Sequence, residues 1–114
     1  MKLSQDLQSL FLPEILATHF KLISHRKESE ALHLFFEELN IKPEAYSIEQ
    51  LHSKGFHKEI TIQDFPLRGH QVYLHIKRRR WIVLETNMVV ERDWKLVAKG
   101  TRLTEGFSSF FKRD

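Results

Sequence analysis

The sequence predicts an α+β fold in which N-terminal helices pack on a small antiparallel sheet and a short helix follows the sheet. Three observations support this prediction. Apolar residues recur at helical spacing before residue 24, β-rich runs follow Phe56, and a helical stripe returns after Gly100. With 114 residues the chain is long enough for one domain with a helical extension. We divide it into an N-terminal helical segment, residues 1–27, and a basic α+β domain, residues 28–114.

Two amphipathic helices are predicted at the N-terminus. The first carries its apolar stripe at Leu3, Leu7, Leu10 and Phe11. Pro13 ends that helix and suits the first turn of the next one. Leu16, Phe20 and Ile23 give the second helix its stripe, and His19 beside them is expected to be a partly buried core histidine. The segment "SHRKESE" is interpreted as a polar break.

The middle of the chain is less clear. "EALHLFFEEL" matches a helix through Leu32, Phe35, Phe36 and Leu39, but it also alternates as a strand, so its periodicity leaves both alternatives open. "NIKPEAYSIEQLHSKG" is interpreted as an irregular connection with at most one short helical turn.

Strands are predicted from Phe56 onward. "HKEITIQDF" is β-rich, and Pro66 with Gly69 makes "DFPLRGH" a turn or hairpin. Apolar and polar residues alternate in "QVYLHIK". "WIVLETNMVVERDW" contains two β-rich runs joined at Thr86–Asn87, where asparagine tolerates the positive φ of a tight hairpin.

The final helix is predicted from "TRLTEGFSSFFKR". Thr101 or Thr104 is a suitable N-cap, and the helical stripe that follows is Leu103, Phe107, Phe110 and Phe111. Three phenylalanines in so short a helix must either fold back onto the sheet or meet another domain.

Composition excludes several classes of protein. No apolar run approaches the roughly 18 residues that a membrane span needs, and the N-terminus lacks the features of a signal peptide. We therefore expect a cytoplasmic protein that has no membrane partner. Because the chain has no cysteine, disulfides, thiolate catalysis and cysteine-ligated zinc are excluded.

Positive charge is concentrated in the second half of the chain. Residues 1–57 hold 6 Lys and Arg against 8 Asp and Glu, whereas residues 58–114 hold 12 against 7. Four cations stand in line at Lys77, Arg78, Arg79 and Arg80. If Thr86–Asn87 is a two-residue loop, Arg80 faces Asp93 and Trp81 faces Arg92, which accounts for one or two of these charges. A solvated face remains an alternative, but contact with nucleic-acid phosphates explains the remaining charges better.

A second basic segment, "KLVAKGTRLT", lies some twenty residues beyond the run. Lys95, Lys99 and Arg102 flank Gly100 and the start of the predicted helix. Backbone amides at a helix N-terminus attract phosphate, and Thr101 or Thr104 would add a hydroxyl. Ordinary helix capping explains the same residues, and the two interpretations can both be true.

The remaining side chains are assigned mainly to the core. Trp81 and Trp94 are expected to pack in a small sheet rather than to stack on unpaired bases, and the phenylalanines Phe35, Phe36, Phe56 and Phe65 are expected beside them. His52 with His57 and His70 with His75 share a spacing, but a site of histidines alone is uncommon. We expect no metal, and His75 is expected to be exposed near the cations with depressed protonation.

Several stretches together resemble the N-terminal region of insertion-sequence transposases of the ISAon type. These stretches are "SKGFHKEITIQDFPLRG", "VYLHIKRRRW", "ERDWKLVAKGTRLT" and "EGFSSFF". The resemblance extends over residues 12–112 and is strongest over residues 53–107.

A looser likeness extends to transposases whose N-terminal segment is a zinc ribbon. Their "D-P-G…V-L…RRR" strand is matched in order by Asp64, Pro66, Gly69, Val72, Leu74 and the three arginines, and Arg102 with Thr104 matches their "R-T" step. Without cysteines, this would be a ribbon-like hairpin that has lost its zinc. The likeness also favours a strand for "EALHLFFEE".

The resemblance implies the DNA-binding module of a transposase, which recognises the terminal inverted repeats of the element and is associated with the bacterial nucleoid. The acidic triad of such enzymes would lie in a separate domain, so no catalytic residue, cofactor or metal is expected here. The implied partners are double-stranded DNA, a catalytic transposase subunit or domain, and a second copy of the chain. The DNA contacts expected are Lys77, Arg78, Arg79, Arg80, Arg92, Lys95, Lys99, Thr101, Arg102 and Thr104.

Two alternatives remain open. The first is a regulatory fragment that pairs with full transposase through the surface Phe107–Phe111 and inhibits it. The second is a weak nuclease that uses Asp64 and neighbouring acids, although no group of residues forms a recognisable catalytic pattern.

Overall fold

The computed structural model describes residues 14–46 and 48–94. Within them the chain is mostly β, with seven strands in two sheets and one short helix. The helix is α1 (Glu14–His19), and a 3₁₀ turn spans Glu44–Tyr46. The strands are β1 (Phe20–Glu28), β2 (Ala31–Glu38), β3 (Leu51–Phe56), β4 (Ile60–Leu67), β5 (His70–Lys77), β6 (Arg79–Val83) and β7 (Met88–Val90). The predicted α+β fold, with helices packed on a small antiparallel sheet, is therefore wrong.

The larger sheet has four strands in the order β1-β2-β5-β4. β1 and β2 form an antiparallel hairpin closed by Ser29–Glu30, and Ser29 adopts a φ of +46°. β2 pairs with β5 in parallel, and β4 pairs with β5 antiparallel. The sheet is thus mixed, and the parallel pair lies at its centre, where both neighbours supply hydrogen bonds.

The smaller sheet has three antiparallel strands in the order β3-β6-β7. Its strands are not separate from those of the larger sheet. Arg78 alone lies between β5 and β6, and residues 57–59 lie between β3 and β4. His57 N donates a 2.8 Å hydrogen bond to Arg78 O at this position. The segments β3–β4 and β5–β6 therefore form one long bent hairpin that belongs to both sheets.

Each sheet has its own apolar core. One face of the larger sheet buries Phe20, Leu34, Phe36, Ile62, Val72, Leu74 and Ile76 against Ile15 and Leu16 of α1 and against Trp94. The smaller sheet buries Trp81, Val83 and Val90, with Tyr46 and Leu51 packed beside them. The expectation that both tryptophans lie in the core is confirmed. Phe36 is also buried, whereas Phe35 lies on the opposite face of β2 and is wrongly assigned to the core.

The second predicted helix is present but is only six residues long. Phe20 and Ile23, expected on a helical stripe, lie in β1, where a bulge between Leu22 and Ser24 leaves Ile23 exposed. Residues 24–28 of the polar segment that we interpreted as a break form the second half of this strand, and residues 29–30 form the turn that follows it. Since β1 is the edge strand of its sheet, charged side chains can remain in water along it and discourage pairing with another chain. His19 is partly buried, as predicted.

The hairpins are the best-predicted elements. β4 and β5 are joined at Arg68–Gly69, where both residues have positive φ, which is typical of the tight turns of hairpins. β6 and β7 are joined by residues 84–87, and Asn87 adopts a φ of +58°. β3 is missed by the sequence analysis, which expected an irregular connection over residues 40–55. The short helical turn allowed there is present at Glu44–Tyr46.

Some predicted features lie outside the described residues. They include the helix through Leu3–Phe11 and the C-terminal helix with its phenylalanine surface. The division of the chain at residue 27 stays a prediction. Among the residues that the structure describes, no helix has the length and apolar character needed to cross a membrane.

Candidate nucleic-acid interface

The run Lys77–Arg80 crosses the bend between the two sheets. Lys77 ends β5, Arg78 occupies the bend, and Arg79 and Arg80 begin β6. Since neighbouring residues of a strand point to opposite faces, the four side chains enter different surroundings. The structure therefore separates the cations that the sequence places in line.

Arg79 is partly buried and is bound by Glu38, the last residue of β2. The backbone amide of Arg79 donates to Glu38 Oε1 at 2.8 Å. Its guanidinium donates to the carbonyl oxygen of Glu38 from Nε and Nη2, at 3.3 and 3.1 Å, and to Ser53 Oγ from Nη1 at 2.6 Å. The same group lies over the ring of Phe56, 4.7 Å from its centroid. Arg79 thus uses much of its donor capacity within the protein.

Arg92 binds the other oxygen of the same carboxylate. Its Nε donates to Glu38 Oε2 at 3.0 Å, and its Nη2 donates to the carbonyl oxygen of Ile41. Glu38 is 1% exposed and Arg92 8%. Burial raises the pKa of Glu38, and the hydrogen bonds and positive charges of Arg79 and Arg92 oppose that rise. We call Glu38, Arg79 and Arg92 the buried junction, because they join the end of β2 to the smaller sheet.

Arg78 and Arg80 belong to a different group on the outer face of the smaller sheet. Trp81 and Val83 point into the core of that sheet, so the alternation of β6 sends Arg80 outward. The pairing of β3 with β6 leaves Lys54 and Gly55 as a bulge opposite Arg80. Gly55 has a φ of +71°, which a glycine adopts without steric cost.

Glu91 is the carboxylate in contact with this outer group. Its Oε2 lies 3.2 Å from His57 Nε2 and 3.8 Å from Arg78 Nη1. The register of β6 with β7, in which Trp81 pairs with Val90, aligns Glu91 with Arg80. Burial lowers the pKa of His57, Glu91 opposes this effect, and Arg78 and Arg80 lower the pKa further. We call Lys54, His57, Arg78 and Arg80 the basic cluster.

The cross-strand pairing expected at these residues differs by two positions from the one observed. A two-residue loop at Thr86–Asn87 would align Arg80 with Asp93 and Trp81 with Arg92. The connection has four residues instead, so Trp81 pairs with Val90. Arg92 consequently reaches Glu38 rather than the ring of Trp81.

Lys77 faces neither the basic cluster nor the buried junction. It is partly buried on the face of the larger sheet opposite the apolar core, where Glu37 of β2 is its register partner. Lys95, Lys99, Thr101, Arg102 and Thr104 lie outside the described residues. Of the ten expected DNA contacts, Arg78 and Arg80 lie together at the bend, whereas Arg79 and Arg92 are bound by Glu38.

The face of the larger sheet opposite its apolar core carries a row of stacked rings that the sequence did not predict. Tyr73 stacks on His33 with centroids 5.1 Å apart, His33 on His75 at 5.0 Å, and His75 on Phe35 at 4.5 Å. The guanidinium of Arg26 lies 5.6 Å from the centroid of Phe35. Alternation along β2 and β5 was the available signal, because it places His33, Phe35, Tyr73 and His75 on the face opposite the apolar core.

Hydrogen bonds link the histidines of this ring row. His33 Nδ1 and His75 Nε2 are 2.8 Å apart, and His75 Nδ1 is 2.9 Å from Thr61 Oγ1. The side chains of His33 and His75 are only 15% and 13% exposed. Burial lowers the pKa of His75; Glu59 opposes the effect, and His33 and Arg26 add to it. The pKa of His75 is lowered as predicted, but its expected exposure near the cations is wrong, because the side chain is mostly buried and burial is the main cause of the lowered pKa.

Glu38 is the functional feature that the sequence analysis missed near the basic run. Leu34, Phe36 and Glu38 occupy successive inward positions of β2, so alternation alone places a carboxylate in the core. Such a group requires cationic or hydrogen-bonding partners. In residues 14–46 and 48–94, the structure contains no group of three or more histidine or acidic side chains that could hold a metal ion.

Comparison with known proteins identifies no relative. No family model, no curated protein and no solved structure matches the chain.

Proposed function

We propose that this chain is a nucleic-acid-binding module that holds double-stranded DNA against the outer face of the smaller sheet. The observation that supports the proposal is the basic cluster. Lys54, Arg78 and Arg80 contribute three positive charges beside the carboxylate of Glu91. A surplus of cations on one face of a sheet is the electrostatic signature of contact with phosphates.

The proposal narrows the set of contacts expected from the sequence. Arg79 and Arg92 are engaged by Glu38 and by backbone carbonyls, so releasing them to DNA would leave a buried carboxylate without partners. Arg80 lies outside the ion-pair distance of 4.0 Å from every carboxylate of residues 14–46 and 48–94. Arg80, with Lys54 in the bulge opposite it, is therefore the centre of the proposed interface.

The resemblance to ISAon-type transposases supports a biological setting for this activity. In that setting the module recognises the terminal inverted repeats of an insertion sequence, and a separate domain or subunit carries the catalytic triad. The proposal assigns no catalytic step to this chain. The alternative of a regulatory fragment depends on Phe107–Phe111, outside the described residues, and stays a prediction.

The experiment measures the affinity of the purified chain for a short labelled duplex over a range of salt concentrations. Each phosphate contact contributes about 0.9 to the slope of log affinity against log salt. The double variant Lys54→Ala, Arg80→Ala should therefore bind more weakly, with a slope lower by about 1.8. Both side chains lie at the surface of the smaller sheet, so the variant should remain folded.

The matched control is the double variant Arg26→Ala, Lys27→Ala. It removes the same charge from exposed positions of β1, on the edge strand of the larger sheet. This control should bind DNA with nearly the slope of the unaltered chain. Absence of salt-dependent binding by the unaltered chain, or equal losses in the two double variants, would refute the proposal.

A further inference from the structure

The carboxylate of Glu91 occupies the position in the basic cluster that suits an anion. Its Oε2 lies within 4.0 Å of both His57 and Arg78, and its strand register aligns it with Arg80. Two of these groups are permanently charged arginines, of which Arg78 is within ion-pair distance of Glu91. The third is a histidine whose Nε2 lies 3.2 Å from the same oxygen without forming a hydrogen bond. A phosphate oxygen beside Arg78 would gain the same kind of charge-assisted contact.

Glu91 is held much more weakly than Glu38, the buried carboxylate that binds Arg92. Its side chain is 46% exposed, and it follows the last paired residue of β7. The distance of 3.8 Å to Arg78 is that of an ion pair without a hydrogen bond. Exposed pairs of this kind contribute little stability, whereas the Glu38 carboxylate, which is inaccessible to solvent, accepts two hydrogen bonds of 2.8 and 3.0 Å.

We propose that Glu91 is an intramolecular substitute for a nucleic-acid phosphate, which a backbone phosphate displaces when DNA binds. This inference rests on the proposed function and assigns a role to a residue within its interface. In the free chain Glu91 holds Arg78 and His57 in place and reduces the mutual repulsion of the cations. In the complex the phosphate takes over both interactions, and Glu91 turns into solvent.

The presence of Glu91 affects which anions can bind to the basic cluster. A single small anion in the place of Glu91 contacts only Arg78 and His57, the groups that the carboxylate contacted before. A polyanion that also binds Lys54 and Arg80 forms further ion pairs within the same molecule and is held more tightly. Glu91 thus favours a phosphodiester backbone over free phosphate.

The test replaces Glu91 with glutamine, which keeps the size of the side chain and removes its charge. Glu91 must release Arg78 and His57 before a phosphate binds, and breaking an exposed ion pair of this kind weakens binding by up to about fivefold. Glu91→Gln should therefore bind the labelled duplex more tightly, by up to about fivefold. Glu85→Gln is the matched control, because Glu85 is exposed in the turn between β6 and β7 and its replacement changes the net charge equally.

A second measurement tests the contact in the free chain. Glu91 raises the pKa of His57, so NMR titration of the His57 ring should give a lower pKa in Glu91→Gln than in Glu85→Gln. Thermal unfolding of both variants verifies that each remains folded. This measurement needs no DNA, and an unchanged His57 pKa would overturn the inference.

The outcomes separate this inference from the proposed function. If the unaltered chain shows no salt-dependent binding, the proposed function fails. If it binds through Lys54 and Arg80 but Glu91→Gln and Glu85→Gln have the same affinity, the proposed function stands and the role of Glu91 is refuted. Tighter binding by Glu91→Gln alone, together with a lowered His57 pKa, supports the inference.

Discussion

The carboxylate of Glu38 and the guanidinium of Arg92 form a buried ion pair, with Oε2 and Nε 3.0 Å apart, where the larger sheet meets the smaller one. The second carboxylate oxygen accepts the backbone amide of Arg79. One side chain at the end of β2 thus binds both the beginning of β6 and the segment that follows β7. This group therefore adds a buried polar contact between two sheets that the bent hairpin of β3–β4 and β5–β6 also joins.

Glu38→Ala should lower the free energy of unfolding by about 3–5 kcal/mol, because Arg92 would remain buried without its partner. Glu38→Gln retains the acceptor oxygen for one of the two donors and should cost less. Urea unfolding followed by circular dichroism measures both values. A loss below about 1 kcal/mol for Glu38→Ala would show that the pair contributes little. Glu37→Ala, one residue earlier on the opposite face of β2, is the control.

Arg79 and Arg80 are neighbours with separable roles. Arg79→Ala removes guanidinium hydrogen bonds to Glu38 O and Ser53 Oγ, and it should lower the free energy of unfolding by about 2 kcal/mol. Arg80→Ala should leave stability within about 0.5 kcal/mol of the unaltered chain and reduce the salt slope of DNA binding by about 0.9. Unfolding curves and duplex titrations on both variants test this division. Reversal of the two effects would contradict the placement of these side chains.

Trp81 anchors the small core shared by β3, β6 and β7. Trp81→Ala should cost about 3–5 kcal/mol through the lost burial and the cavity it leaves. The indole Nε1 of Trp81 is buried and has no hydrogen-bond partner among the described residues. Trp81→Phe removes that unsatisfied donor and should therefore cost much less than Trp81→Ala. Chemical denaturation ranks the two variants, and equal losses would refute the argument.

Stability should fall as the solution is acidified below about pH 6.5, the usual pKa of a histidine. The pKa values of His19, His57 and His75 are all lowered in the folded chain, so the unfolded state binds protons first. Their contribution is complete above the unfolded pKa and is lost as pH falls through the folded values. His75→Gln should reduce the dependence of unfolding free energy on pH without abolishing it. Denaturant titrations at several pH values measure the slope, and an unchanged slope would exclude His75.

Local features of the sheet were predictable from the sequence because they depend on neighbouring residues. Alternation identified β5, and turn residues identified the hairpins at Arg68–Gly69 and at Asn87. The burial of Trp81 and Trp94 followed from the need of a small domain for large apolar side chains.

The remaining features depend on contacts between distant segments. β3 contains Ser53, Lys54 and Gly55, so its own sequence has almost no strand pattern, and pairing with β6 determines its conformation. The parallel pairing of β2 with β5 likewise cannot be predicted from the sequence of either strand alone. The same holds at the interface, where the position of Arg80 relative to Glu91 depends on a four-residue connection that we expected to have two residues.

The passage of β5 into β6 through the single residue Arg78 constrains how this chain can vary in length. Adding or deleting one residue there would reverse the orientation of every side chain in β6, sending Arg80 into the core and Trp81 into water. The tip at Arg68–Gly69 is exposed and far along the chain from the smaller sheet, so it can absorb an insertion without changing the faces of β6. A tag or label inserted for experiments belongs at this tip, away from the bend.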